Sequence, residues 1–492
     1  MQQSNDSGTG PLVSGTASPP TGFPRLAWGV IILVALLIIG LHIASDSTEA
    51  GRDYRAKISH ITERMEGQVI VGAKTLGLRA AVESSLRSFE VGSVGRRIRG
   101  VVLIGEVNGS DAAQAALLRL EVQMDEAGVE PDPEQARMME LLGRVYAAPP
   151  SEDSVPGALD SGEQDALVGQ LGWFGDIALH PSGRGATSER SRWVSKARVV
   201  MIGLGVLMLL LLTGFVVGLV LLVVLIVLAC QGRLRHGMGA ASRQDGLLAE
   251  AFAVWLVLFL LVQYLLGLLY EWIPQLQAIQ LLLTGVAQGL TAGVVLWPVL
   301  RGDRWSRVRR AIGLTTGPEG RGSWWREIGW GLCGYLMLLP LLLVGVLLVA
   351  VTQWAVTASP SGTDFSRSAD PAHPILLYVS DGSLWTILQV YFVAAVVAPF
   401  LEEIVFRGVL YRQLRTATHR WGLLGSMACS LLVVSLVFAA IHPQGLMAVP
   451  ALATIAVGLG VMREWRGSLL APMVMHGCSN AVVITMMVVV TR

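Results

Sequence analysis

The chain has 492 residues, a formal net charge of +1, 53% hydrophobic residues and only 15% charged ones, where a soluble domain usually carries about 25% charge. That balance offers no global electrostatic case for nucleic acid. The four cysteines, Cys230, Cys333, Cys429 and Cys478, form no CxxC pair and no disulfide framework, and they leave the redox compartment open.

Residues 1–25 are rich in Gly, Ser, Thr and Pro and read as a disordered tail. Residues 26–44 form an apolar run long enough for one spanning helix. A cleavable signal peptide competes, but only Arg25 supplies a charge before the run and no small-x-small site follows it. Residues 46–197 differ in kind, with frequent charges and apolar residues at helical spacing, as in Ile58, Ile61 and Met65. Asp132-Pro133-Glu134 is a helix start, with an N-cap acceptor, a proline at N1 and an acid in the first turn. Leu141, Leu142 and Val145 continue its apolar face, and Pro149-Pro150 ends it. This segment reads as a mostly helical soluble domain without a catalytic constellation.

Eight further apolar runs follow, at residues 199–229, 250–270, 277–300, 328–356, 384–406, 421–441, 445–462 and 468–490. The first is longer than a bilayer needs and must tilt or extend past it. The predicted fold is therefore all-α: a multi-pass transmembrane helical bundle of about nine spans with an N-terminal helical domain. Arginine placement predicts its orientation. The loop 301–327 carries Arg301, Arg304, Arg307, Arg309, Arg310, Arg321 and Arg326 and reads as cytoplasmic. Counting outward puts Arg233, Arg235, Arg243, Arg412, Arg415, Arg420, Arg463 and Arg466 on the same side, while 271–276 has no arginine and 357–383 only Arg367. Residues 46–197 then lie outside a cell membrane, bacterial and inner by expectation, although Arg52, Arg55 and Lys57 run against the rule.

Three stretches carry chemistry. In Ala398-Pro399-Phe400-Leu401-Glu402-Glu403-Ile404-Val405-Phe406-Arg407-Gly408, two carboxylates end an apolar run. Glu403 and Arg407 are spaced i, i+4 and can pair, whereas Glu402 is rotated about 100° away and is free to face a cavity. Pro399 removes a backbone bond just before them. The second stretch is Phe438-Ala439-Ala440-Ile441-His442, and the third is His476-Gly477-Cys478-Ser479-Asn480, whose two polar ends share one helix face. Alone, the first reads equally as an interfacial helix end and the third as hydrogen bonding within a bundle, and a lone histidine ending an apolar helix is more often a satisfied interfacial residue than a ligand. Polar side chains at membrane depth point inward and mark function by default.

Taken in order, Glu402-Glu403-x3-Arg407, Phe438-x3-His442 and His476-x3-Asn480 resemble the EExxxR, FxxxH and HxxxN pattern of the CAAX-protease and bacteriocin-processing (Abi) family of intramembrane peptidases, which includes the Rce1-type prenyl-protein proteases. The resemblance covers roughly residues 320–490, so residues 328–492 are expected to form the peptidase core after the spans of 199–300. It implies an endopeptidase acting on membrane-associated proteins or peptides. Glu402 matches the general base, His442 and His476 the two active-site histidines, Asn480 the oxyanion stabiliser, and Glu403, Arg407 and Phe438 the supporting positions. Amide hydrolysis needs such a base and such a donor.

A metal is left open. Glu402, His442 and His476 are the set that could hold zinc with an open water position, but HExxH is absent and Asn480 fits an oxyanion role better than a ligand role. Two other readings compete, a non-catalytic immunity or scaffold protein of the same fold and a secondary transporter using these residues as a proton relay. No second copy of the Glu-Glu segment supports the transporter. Substrate and oligomeric state cannot be read. One expectation conflicts with the rest: a full span over 421–441 puts His442 about 30 Å from its start, too far from Glu402 unless part of 407–420 lies at membrane depth.

Overall fold

The computed structural model describes residues 22–147, 159–181, 188–234, 237–238, 246–317, 320, 322–357, 365, 375–380, 382–442, 444 and 446–491. The tail over 1–21, Pro149-Pro150, and Arg235, Arg243, Arg321 and Arg367 lie outside them. All regular structure among the described residues is helical. Eight helices there are long and apolar enough to cross a membrane. The ninth predicted span also forms a helix, but Arg463, Glu464 and Arg466 charge its last turn.

The N-terminal helical body contains α2 (Glu49–Thr75), α3 (Arg79–Arg87), α4 (Val94–Asn108), α5 (Ser110–Ala127), α6 (Pro133–Ala147), α7 (Ser161–Leu171) and α8 (Trp173–Leu179), after the spanning α1 (Pro24–Ser47). Its core includes Ile70, Val102, Leu142 and Phe174. The predicted start of α6 is built as read: Asp132 Oδ1 accepts from Gln135 N at 2.8 Å, and Gln135 Oε1 accepts from Asp132 N at 3.3 Å, a reciprocal cap. Leu141, Leu142 and Val145 are buried. The over-long span is α9 (Ser188–Cys230). It extends past the membrane, because Ala197 near its start belongs to the core of the helical body.

His60 of α2 stands against Gly172. Burial pushes its imidazole below the ordinary value of 6.5, with Arg99 and Arg64 acting in the same sense and Glu63 opposing. The unfolded chain then binds the proton more readily than the folded one, so His60 lowers stability as pH falls through the ordinary histidine range. The melting temperature is expected to drop between about pH 7.5 and pH 5.5, and less in a His60→Gln variant. An equal drop in the variant would discharge His60 from the effect.

Ile58 and Ile61 depart from the simple expectation of a stripe facing the body's own core. They pack with Leu376 of α14 (Ile375–Ser380), with Met487 of α18 (Leu470–Thr491) partly buried against them. The helical body thus rests on the helix that carries His476 and Asn480.

The membrane bundle adds α10 (Leu247–Trp272), α11 (Gln280–Leu290), the short α12 (Trp305–Ile312), α13 (Trp324–Thr357), α15 (the continuous helix Leu384–Ala417), α16 (Gly422–Ala440) and α17 (Val449–Arg466). α11 lies close to α15 because Gly285 and Gly289 present no side chain: a Cβ on Gly285 would sit 2.6 Å from Val393 Cγ2, and one on Gly289 2.9 Å from Val397 Cγ1. Small residues four apart are the usual way for spanning helices to approach.

The expected boundary of 384–406 is corrected. α15 runs on to Ala417, and residues 403–414 are buried throughout. Arg412 and Arg415 therefore belong to a packed helix, not to an exposed loop. Tyr411 Oη donates to Glu464 Oε1 at 2.7 Å, Arg415 pairs with the same carboxylate oxygen, and both its neighbour Ser426 and Glu464 are buried. These bonds tie α15 to α16 and α17. A cluster so paired satisfies the charges that made the stretch look like solvent-facing chain.

Candidate active site

Pro399 has no N–H to offer the carbonyl one turn back. α15 accommodates it with wider π-type turns on both sides, Val393–Val397 and Glu403–Leu410, a feature that recurs at functional sites. The loosened segment receives α18. Asn480 Nδ2 donates to the Ala394 carbonyl at 2.7 Å. Gly477, next to His476, allows the close seat, since a Cβ there would stand 2.6 Å from Ala395 O. Backbone cannot yield as a side chain end can, so Gly477→Ala is expected to force the helices apart. We expect it to destabilise the protein by about 1–3 kcal/mol, read as a lower melting temperature in detergent. An unchanged melting temperature would show that the contact relaxes without cost.

Glu403 and Arg407 are both fully buried. Arg407 Nη1 donates to Glu403 Oε1 at 2.9 Å, and Arg407 Nη2 reaches the Ala456 carbonyl at 3.4 Å. The guanidinium carbon lies 4.6 Å from the Phe438 ring centre, within cation–π range. The same Glu403 oxygen accepts from His476 Nδ1 at 2.9 Å. A carboxylate only accepts, so Nδ1 carries the proton, and in the neutral ring Nε2 is the lone-pair nitrogen. His442 is held by the same logic. Its Nδ1 donates to the Phe438 carbonyl at 2.5 Å, and its ring lies 4.2 Å from that of Phe438.

Both free nitrogens converge on one atom. His442 Nε2 and His476 Nε2 each stand 3.8 Å from Glu402 Oε2. That oxygen is buried and has no hydrogen-bond partner among the described residues. A gap of 3.8 Å is too long for a direct bond, so neither imidazole nitrogen hydrogen-bonds the carboxylate. The Glu402 side chain is 21% exposed where Glu403 is 0%, and Glu402 lines a cavity between α10, α11 and α15. One carboxylate is thus locked by its neighbours and the other faces open space, the division expected from their 100° offset.

Six of the residues read from the sequence, Glu402, Glu403, Arg407, Phe438, His442 and His476, form one connected group. Asn480 lies one turn from His476 and keeps one amide N–H beyond its bond to Ala394. The conflict over His442 is resolved by the length of α15. Glu402 lies 15 residues before its end at Ala417 and His442 20 residues beyond Gly422, so both arms return to one level. Sequence reading missed the aromatic wall behind the pair. Phe406 stands edge-on to Phe438 at 5.2 Å, to Trp255 at 5.6 Å and to Phe252 at 5.8 Å. It also missed Gln288 of α11, which lines the same cavity; an amide inside an apolar run was the available signal.

The donors Glu402, His442 and His476 are of types that suit zinc, and each histidine has its Nδ1 anchored as metal-bound histidines usually do. Their spacing does not suit it. Ligand atoms on a tetrahedral zinc stand about 3.3 Å apart, less than the 3.8 Å found. Among the described residues, no group of three His, Cys, Asp or Glu is placed to hold a metal ion.

The model of the type II CAAX prenyl endopeptidase Rce1-like family matches residues 383–482. That stretch holds α15 to α17 and the half of α18 with His476 and Asn480. No curated protein matches the chain, and no solved structure does. Over residues 383–482 this integral membrane protein is thus similar to the type II CAAX prenyl endopeptidase Rce1-like family.

Proposed function

We propose that the protein is an intramembrane endopeptidase that cleaves membrane-associated proteins or peptides through a water activated by Glu402. One observation carries the reading: Glu402 Oε2 is a buried acceptor, unbonded by protein and faced by two imidazole nitrogens, on a residue that also lines a cavity. A base needs a proton source within reach, and a water admitted beside Glu402 would be that source in this reading.

In this reading Glu402 takes a proton as the water oxygen bonds to the scissile carbonyl carbon. The carbonyl electron pair moves to its oxygen, which collects negative charge. Asn480 meets that charge, in this reading, with its remaining amide N–H, and the histidines orient the water. The carbonyl then re-forms, the C–N bond breaks, and the proton on Glu402 passes to the leaving nitrogen. Arg407 and Glu403 act through His476: they fix its tautomer and keep Nε2 turned to the reacting centre. We place residues 46–197 on the extracytoplasmic side of a bacterial inner membrane, on the arginine pattern.

The test compares new protein termini in membranes of cells expressing the native chain and the Glu402→Ala variant, matched for expression and monodispersity in detergent. Termini present with the native chain and lost with the variant would establish peptidase activity and name substrates. Identical profiles from two folded proteins, across several hosts, would favour the scaffold reading instead.

A further inference from the structure

The cavity beside Glu402 has a volume of about 370 Å³ and extends well beyond the reacting group. Its wall on α10 is Phe259, Gln263, Leu266 and Tyr270, spaced four, three and four residues apart, one face of a helix. Those residues cover about 17 Å of rise, the length of about five residues of extended chain. Tyr378 also lines the cavity. It belongs to α14, which the helical body touches through Leu376.

Gln288 of α11 also lines the cavity and carries an unused acceptor. Gln288 is 7% exposed, and its Nε2 donates to the Phe259 carbonyl at 3.3 Å. A carbonyl accepts only, so the amide nitrogen must face Phe259 and the oxygen must be the free end. Gln288 Oε1 is buried without a hydrogen-bond partner among the described residues. The backbone around it is fixed: Thr291 Oγ1 donates to the Gln288 carbonyl at 2.6 Å and accepts from Trp255 Nε1 at 3.1 Å. Tyr270, by contrast, is already bonded to Thr284 Oγ1 at 2.8 Å.

We propose that this cavity is the substrate channel, that it receives the unprenylated main chain of an extended polypeptide, and that Gln288 Oε1 accepts a backbone N–H of that chain. The proposal rests on the peptidase reading and names its substrate class. An isoprenoid has no donor, and filling the cavity with hydrocarbon would leave the Gln288 oxygen dry and unpaired. An extended main chain offers an N–H toward a given wall at every second residue. Gln288 sits outside the residues matched by the family model. In this role Gln288 is a specificity-determining residue, not a catalytic one.

The experiment uses the full chain carrying Glu402→Gln, reconstituted in lipid, and a pool of fluorescent apolar peptides. Peptides that bind are resynthesised with single N-methyl groups, which remove one N–H at a time, and with a farnesylated C-terminal cysteine. One N-methyl position is expected to weaken binding about tenfold, and adding Gln288→Leu is expected to cost the same and to erase the effect of that methyl group. Farnesyl-cysteine should not displace the peptide. A lipid-side change on the same helix, Val286→Leu, should leave binding unchanged. Binding insensitive to every N-methyl group, displacement by farnesyl-cysteine, or failure of the whole pool to bind would overturn the proposal. The two readings separate in the native chain. Bound peptide that is never cleaved, with the Gln288 dependence intact, leaves the channel standing and removes the peptidase. Cleavage without that dependence does the reverse.

Discussion

Glu402→Gln is expected to lower the rate of peptide hydrolysis by at least about 10²–10⁴-fold, the usual contribution of a positioned base, and to leave the melting temperature nearly unchanged. The substitution keeps the shape of the side chain and removes its capacity to take a proton. Stability should survive because Oε2 has no hydrogen bond to protein to lose, and the amide adds a donor that the Nε2 atoms of His442 and His476 can accept. Glu403→Gln should separate the two carboxylates. Glu403 holds Arg407 and His476 on one oxygen, so its loss is expected to cost stability and activity together. Single-turnover rates on a substrate found by terminus profiling, with melting curves of the same samples, check both. A Glu402→Gln protein that cleaves at the native rate would remove Glu402 from the chemistry, whatever the fold.

The sequence carried the candidate site further than it carried the architecture around it. Glu402, His442 and His476 were readable because ionisable side chains are rare inside apolar runs, and their spacing assigns faces. The same logic hid what lies between them. Arg412 and Arg415 looked like the arginines of an inner loop, since charge density was the only signal for a boundary. Arg415 pairs with Glu464, some fifty positions away, and a pairing of that range leaves no local periodicity. The π-type turns were likewise out of reach. Pro399 announces a missing bond, but whether a helix kinks, breaks or widens is decided by what packs against it, here Gly477 and Asn480 of α18. The Ile58–Ile61 stripe was visible as a stripe, while its partners Leu376 and Met487 lie in a different body of the protein. Gln263 and Gln288 stood in plain sight as polar residues in apolar spans and acquired meaning only when a shared cavity joined them.

Arg407→Met is expected to destabilise the protein by about 3–5 kcal/mol, the cost of stripping one partner from a buried ion pair, and to abolish activity although Arg407 touches no reacting atom. Glu403 is 0% exposed and would be left as a buried carboxylate with only the His476 N–H to answer it. A proton would have to enter to neutralise it, or His476 would have to become charged. Either change disturbs the tautomer that keeps His476 Nε2 available to Glu402. Stability and catalysis can be told apart with the double variant Glu403→Gln/Arg407→Met. Removing both charges is far less costly than removing one, so most of the lost melting temperature should return. Activity should return only in part, because a Gln oxygen still accepts from His476 Nδ1 but lacks the charge that favours the imidazole's orientation. Recovery of neither quantity would mean that Arg407 acts chiefly through its bond to the Ala456 carbonyl and its packing on Phe438. Arg407→Lys distinguishes that case, since lysine keeps the charge and loses the planar fork: it should hold the fold if the ion pair dominates and fail if the packed guanidinium does.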